Sequence, residues 1–105
     1  MADERNTSED AMLDAVAHVP EHVVHRTFEA ETLLLNLDTG QYHGLNETGG
    51  RMLQLLEASD GRVREAIQKL ADEYEIAFEE IAPDLLTFCS SLESRGLIQV
   101  TKVES

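Results

Sequence analysis

The apolar residues of this chain change their spacing at Asn46, and that change limits the folds available to it. Before Asn46 they alternate, as Leu33, Leu35 and Leu37 do, which indicates a strand with one buried face. After Asn46 they recur every three or four residues, which indicates amphipathic helices. Strands followed by helices in this way predict an α+β fold.

Three strands are predicted before the change, over residues 22–28, 32–37 and 41–45. Between the second and the third, Asp38-Thr39-Gly40 supplies turn chemistry, with Gly40 able to adopt a positive φ. The two strands therefore form a hairpin, and the first strand completes a three-stranded antiparallel sheet.

Three helices and a last extended piece follow the sheet. Asn46 is a good N-cap for the first helix, and a close approach to the sheet would explain the costly pair Gly49-Gly50 within it. The predicted ranges are 47–58, 63–74 and 79–94 for the helices and 97–100 for the extended piece. The second and third helices resemble a helix-turn-helix, and the extended piece would occupy the position of a wing.

The third helix has the clearest pattern. Its apolar residues step by three and four, and they are Phe78, Ile81, Leu85, Phe88 and Leu92. Pro83 is expected in the first turn, where a missing N–H is harmless, and Gly96 is expected to cap the end.

Length and charge restrict the organisation and the partners. The chain has 105 residues, with 21 acidic and 8 basic side chains and a net charge of −13. We predict a flexible acidic arm over residues 1–20 and one domain over residues 21–105. The acidity disfavours nucleic acid and anionic membranes as partners. Since we find neither a signal peptide nor an apolar run of membrane-spanning length, we expect a cytoplasmic protein.

Two groups of residues were tested for chemistry. His18, His22 and His25 have a spacing that suits a helical metal site, but a strand would place His22 and His25 on opposite faces. Cys89 has no basic residue within a helical turn, so it is expected to be a small hydrophobe rather than a nucleophile. Since no catalytic or metal-binding motif is found, we predict that the protein is not an enzyme and binds neither a metal nor a cofactor.

The outer strand of a small sheet offers a different function. Its unpaired N–H and C=O groups are a template for one more strand, which is the physical basis of peptide capture by strand addition. The alternative is that the N-terminal arm or a second copy of the chain covers this edge.

Several stretches together resemble PqqD-like proteins. Residues 33–49 (LLLNLDTGQYHGLNETG) resemble the family's hydrophobic strand, Asp-x-Gly turn, Tyr-containing strand and Leu-Asn-x-x-Gly helix start. Residues 70–74 resemble a later helix, and residues 84–98 resemble its Asp-x-x-x-Phe-x-x-x-Leu-x-x-x-Gly-Leu-Ile ending. The resemblance covers about residues 22–100.

This resemblance implies a winged helix-turn-helix-like fold and a recognition element for ribosomally made, modified peptides. Such an element binds the leader segment of a precursor as an added strand, in the groove between its third strand and third helix. It then presents the precursor to a maturation enzyme. That enzyme is a leader peptidase in lasso-peptide systems, which we favour here, and a radical S-adenosylmethionine enzyme in pyrroloquinoline quinone synthesis.

The family's peptide-binding role carries over to the third strand and the third helix of this sequence. The residues concerned are Gln41, Tyr42, His43, Gly44, Leu45, Asp84, Leu85, Phe88 and Cys89. By their place in the apolar stripe, Leu85 and Phe88 fit the core better than a contact surface. The alternative function is an acidic winged-helix module that acts in transcription regulation through protein contacts.

Overall fold

A computed structural model describes residues 12–102, and strands and helices occupy separate parts of that chain. The elements are β1 (Val16–His18), β2 (Val23–Phe28), β3 (Glu31–Asn36), β4 (Tyr42–Leu45), α1 (Glu47–Ala58), α2 (Val63–Tyr74), α3 (Phe78–Ser94) and β5 (Gln99–Thr101). The predicted three-stranded antiparallel sheet is β2-β3-β4, and the predicted helices are α1, α2 and α3. The α+β fold class is thus confirmed.

The hairpin between β3 and β4 is fixed by Asn36. Its Oδ1 accepts hydrogen bonds from the N–H groups of Asp38 and Thr39, at 2.9 and 3.3 Å. Gly40 follows with φ 75°, a left-handed conformation that glycine adopts without steric cost. The predicted turn is confirmed, with the side chain of Asn36 as its organising group.

The buried face of β3 is the opposite of the predicted one. Leu33 and Leu37 are exposed and Leu35 is half-buried. The buried side chains of β3 are those of Thr32, Leu34 and Asn36. The predicted assignment of the buried face is wrong because β3 has leucine on both faces. Alternation alone therefore does not decide which face packs against the core.

The start of α1 lies directly on β3. Asn46 caps the helix as predicted, since its Oδ1 accepts a hydrogen bond from the Gly49 N–H at 2.8 Å. A Cβ atom added at Gly50 would lie 2.6 Å from Oγ1 of Thr32, closer than side chains pack. The close approach expected of the two glycines is therefore present, and Gly50 makes it possible.

Helix α3 begins at Phe78, one residue earlier than predicted. Pro83 is consequently the sixth residue of the helix and lies beyond its first turn, so the predicted placement is wrong. Because Pro83 has no N–H, the carbonyl of Glu79 receives no helical hydrogen bond from it. The other residues of the first turns remain helical around this missing bond.

The end of α3 is closed by a left-handed glycine, as predicted. Gly96 has φ 74°, and its N–H donates to the carbonyl of Glu93 at 3.0 Å. The N–H of Leu97 donates to the carbonyl of Leu92 at 2.9 Å. Together these bonds form a Schellman motif, which turns the chain towards β5.

A second, two-stranded sheet joins the two ends of the described chain. β1 pairs antiparallel with β5, with Ala17 opposite Val100. Ala15 and Ala17 are buried, and the Ala17 N–H donates to the carbonyl of Gly61 at 2.7 Å. A flexible arm over residues 12–20 is therefore wrong, and the domain begins before residue 21. The first half of the predicted arm, residues 1–11, lies outside the described residues.

The core lies between the inner face of the main sheet and the three helices. Val23 and Leu34 reach it from the strands, and Leu97 and Ile98 reach it from the segment before β5. The helices supply the remaining large side chains: Met52, Leu53, Leu55, Leu56, Val63, Ile67, Leu70, Ile81, Leu85 and Leu92. No helix within residues 12–102 has the length and hydrophobicity required to cross a membrane.

Candidate functional site

Within residues 12–102, strand β4 pairs only with β3, so its other edge is free. The Asn36 N–H donates to the carbonyl of Gln41 at 3.0 Å, so backbone groups of this pair point at each other. In an antiparallel ladder such pairs alternate with pairs whose backbone groups point away. His43 and Leu34 form the next hydrogen-bonded pair of this ladder. Tyr42 and Gly44 lie on either side of His43, so their N–H and C=O groups point outwards, away from β3.

The free edge is flanked by α3 through Phe88. A Cβ atom added at Gly49 would lie 3.4 Å from Cε1 of Phe88 and 3.4 Å from Cβ of Leu45. The Phe88 ring therefore lies beside the point where β4 ends and α1 begins. Asp84, one helical turn before Phe88, is exposed. The structure thus places the end of β4, at Leu45, close to the Phe88 ring of α3.

The predicted site residues divide by exposure. Gln41, Tyr42, Gly44 and Asp84 are exposed. His43, Leu45 and Phe88 are half-buried, so each presents part of its side chain.

Leu85 and Cys89 have no place on the surface of the site, since both side chains are 0% exposed. They support α3 from beneath, and the prediction that they contact a peptide directly is not compatible with this burial. Burial also raises the pKa of the Cys89 thiol from 9.0 to about 12, with a smaller contribution from the carboxylate of Glu93. The thiol therefore stays protonated, which agrees with its interpretation as a small hydrophobe.

The histidines considered for a metal site have other contacts. Nε2 of His25 lies 2.9 Å from Oε2 of Glu57, and Nε2 of His22 lies 3.3 Å from the carbonyl oxygen of Gly96. His18 lies on β1, in the other sheet. Between residues 12 and 102, no three histidine, cysteine or acidic side chains come together in a way that would hold a metal ion.

One set of surface residues was not found from the sequence. We define the outer sheet face as the side of β2-β3-β4 that points away from the helices, and its residues are Val24, Arg26, Phe28, Leu33, Leu35 and Tyr42. They line an open depression of about 240 Å³. The signal that could have revealed it is the run Leu33-Leu34-Leu35, which is too apolar for a strand with a polar outer face.

Comparison with known families decides the identity. The PqqD family, described as coenzyme PQQ synthesis protein D, matches residues 31–98, from the first residue of β3 to the segment before β5. The chain belongs to the PqqD family. The resemblance predicted from residues 33–49 and 84–98 is confirmed, because both lie within the matched range.

A solved structure with the same fold adds a bound peptide to this picture. The PqqD-family chain is similar to the structure of TbiB1 in complex with the TbiA(beta) leader peptide, with 31% sequence identity and a TM-score of 0.71. The similarity covers 77% of this chain and 93% of TbiB1. No curated protein matches the chain.

Proposed function

We propose that this PqqD-family protein is a recognition element that binds the leader segment of a ribosomally made precursor peptide by adding it as a strand to β4. The observation that carries the proposal is the free edge of β4, whose outward backbone groups at Tyr42 and Gly44 lie beside Phe88 of α3. The likeness to TbiB1, whose structure contains a leader peptide, supports a leader peptide as the ligand of this fold.

In strand addition, the affinity and the selectivity for a peptide arise from different parts of the peptide, its backbone and its side chains. Tyr42 and Gly44 together offer two N–H donors and two C=O acceptors, and each bond that a peptide makes with them contributes about 0.5–1.5 kcal/mol net. These bonds do not depend on the peptide's side chains. Selectivity arises from alternate side chains, which point in turn towards α3 and towards the outer sheet face. On the α3 side they meet the Phe88 ring and the carboxylate of Asp84.

The adaptor presents its peptide to another protein and performs no catalytic step itself. We favour a leader peptidase of a lasso-peptide system as that partner, and a radical S-adenosylmethionine enzyme of pyrroloquinoline quinone synthesis is the alternative. Since a precursor peptide is available where it is synthesised, the proposal places the protein in the cytoplasm. The net charge of −13 suits a peptide or protein partner better than a nucleic acid.

A direct binding measurement tests the proposal. The probe is a fluorescently labelled synthetic leader of the precursor encoded beside this chain's gene, and its anisotropy is followed as protein is added. We expect micromolar or tighter binding, and no binding of a scrambled peptide of the same composition. If a correctly folded protein fails to bind the leader at micromolar concentrations, the proposed function is wrong.

The half-buried ring of Phe88 provides a second test at the same groove. Replacing it in F88A removes the aromatic surface beside β4, and we expect weaker leader binding. F78A is a matched control, because Phe78 is also a half-buried phenylalanine of α3 but lies at the start of the helix. Equal losses of affinity in the two variants would show that the effect reflects general destabilisation and would contradict the groove.

A further inference from the structure

The outer sheet face is apolar, and no described residue covers it. Val24 is 46% exposed, Phe28 is 53% exposed and Tyr42 is 70% exposed. Side chains of β2, β3 and β4 adjoin each other across this face, with Leu35 of β3 opposite both Val24 of β2 and Tyr42 of β4. A contiguous apolar surface on a small protein marks a site of interaction.

The same face carries one cation. Arg26 lies opposite Leu33 in the ladder and lines the same depression. The ion pairs that occur within residues 12–102 are made by His25, Arg51, Arg62 and Arg64, so Arg26 has no carboxylate partner there. An arginine among apolar side chains is typical of the centre of a protein interface, where a partner supplies the carboxylate.

The outer sheet face is continuous with the proposed leader site. Tyr42 belongs to both, because its outward backbone groups form part of the free edge and its side chain lines the outer sheet face. A leader strand added to this edge extends the face by one strand, and every second leader side chain then points out of it. A protein seated on the outer sheet face would therefore contact the adaptor and its bound leader together.

We propose that the outer sheet face docks the maturation enzyme that receives the leader-bound precursor. The complementary surface of that enzyme has apolar side chains around a carboxylate that pairs with Arg26. This inference rests on the proposed function, since the leader defines which enzyme is the partner. It assigns to the adaptor two adjoining surfaces, the edge of β4 for the peptide and the outer sheet face for the enzyme.

Two variants and two matched controls test the assignment. F28T/L33T replaces two exposed apolar side chains while keeping a residue type that suits strands. I76T is its control, because Ile76 is 38% exposed, as Leu33 is, but lies between α2 and α3. R26E reverses the charge of the face, and R95E makes the same change of net charge at the exposed end of α3.

The experiment measures two affinities for every variant by isothermal titration calorimetry. The probes are the synthetic leader and the purified maturation enzyme encoded beside this chain's gene, the latter added to leader-loaded adaptor. We expect F28T/L33T and R26E each to weaken enzyme binding by about tenfold or more, and I76T and R95E to stay within about twofold of the wild type. Leader affinity should remain unchanged in all four.

Two results would overturn the inference. Enzyme affinity that survives F28T/L33T and R26E would place the docking site elsewhere. A wild-type dimer that F28T/L33T converts to monomer, with enzyme binding retained, would instead assign the face to a second copy of the chain. Failure of the leader to bind the wild type would refute the proposed function separately, because leader affinity is measured in its own titration, before any enzyme is added.

Discussion

At the scale of single residues, Gly50 is the position where α1 and β3 come closest. Helix preference alone would make Gly50→Ala stabilising by about 1 kcal/mol, but a buried overlap costs about 1–3 kcal/mol. The overlap is with Oγ1 of Thr32, which is buried and held 3.0 Å from Oγ1 of Thr27. We therefore expect G50A to lower the free energy of unfolding by about 1 kcal/mol, measured by urea denaturation.

The same overlap predicts that the effect of G50A on the free energy of unfolding reverses its sign when Thr32 is replaced. In a T32A background the hydroxyl is absent, so the helix preference for alanine should dominate and G50A should stabilise the protein. Equal effects of G50A in the two backgrounds would show that contact with Thr32 is not what requires glycine.

Cys89 allows a test of burial in α3. Its folded pKa, raised by burial to about 12, lies above the ordinary 9.0, so at pH 9 the folded thiol is protonated and the unfolded thiol is about half ionised. We expect iodoacetamide to alkylate the unfolded chain at pH 9 and to leave the folded protein almost unmodified, as measured by mass spectrometry. The unfolded state loses its proton first, so folding stability falls as pH rises from about 9 towards 12.

The folded protein should also remain unreactive when the leader is bound. Alkylation of folded Cys89 as fast as the unfolded thiol would show that its side chain reaches the surface. Direct contact of Cys89 with the peptide would then again be possible.

Some residue roles could be read from the sequence and others could not. The caps at Asn46 and Gly96 were predictable because each depends on backbone groups within a few positions of itself. Which face of β3 is buried was not predictable. Leu33 and Leu34 are equally apolar, and only the position of α1 determines that Leu34 points into the core. Pro83 was misplaced because even the predicted start at Glu79 makes it the fifth residue of α3, beyond a first turn of 3.6 residues, and the observed start at Phe78 makes it the sixth.

At the scale of elements, β4 is a strand whose outward donors belong to alternate residues. Gly44→Pro removes the outward N–H of Gly44 and leaves its bonds to β3 unaffected, because those come from His43 and Leu45. We expect G44P to weaken leader binding by about five- to tenfold, the equivalent of one hydrogen bond, in the anisotropy assay. A proline at an outward-facing edge position is compatible with the sheet.

Gly44→Ala is the matched control for this change. A Cβ atom at this position would lie 3.8 Å from Cδ2 of Leu33, an ordinary contact, and alanine keeps the N–H. G44A should therefore bind the leader nearly as the wild type does. If G44A and G44P bound equally well, the leader would not use this donor, and strand addition to β4 in this register would be wrong.

The elements differ in how far the sequence could reveal them. β2, β3 and β4 were predicted because each pairs with its neighbour along the chain, through turns with recognisable residues. β1 was missed because residues 16–18 have no local strand signal and their partner, β5, lies near the other end of the described chain, where the sequence predicts an extended piece. The edge of β4 as a peptide site came from the family resemblance, whereas its register and its outward donors required the structure.

At the scale of the whole molecule, the topology resembles that of DNA-binding proteins, whereas the charge disfavours nucleic acid as a partner. α2 and α3 have the outline of a helix-turn-helix, but the exposed residues of α3 include Glu79, Glu80, Asp84 and Glu93. Such a face repels phosphate groups. The surfaces that we propose for its partners are therefore others, namely the edge of β4 for the leader and the outer sheet face, with Arg26, for the enzyme.

The pairing of β1 with β5 makes residues near both ends of the described chain part of one folding unit. Ala17 is buried at 2% exposure between β5 and Gly61, whose added Cβ would lie 2.5 Å from the carbonyl oxygen of Ala17. We expect Ala17→Glu to lower the free energy of unfolding by at least about 2 kcal/mol, because it places a carboxylate where it has neither room nor a partner. His18→Glu, at the neighbouring exposed position, should change it by less than about 0.5 kcal/mol.

Urea denaturation followed by both far-ultraviolet circular dichroism and tyrosine fluorescence distinguishes the two possible roles of β1. If β1 belongs to the single folding unit, the two signals of A17E shift together to lower urea, since Tyr42 and Tyr74 lie in parts of the fold remote in sequence from β1. If A17E behaves like H18E, β1 is only an attached strand and the domain begins at β2. Leader affinity is then measured without denaturant. Because β4 and β1 belong to different sheets, a folded A17E should still bind the leader.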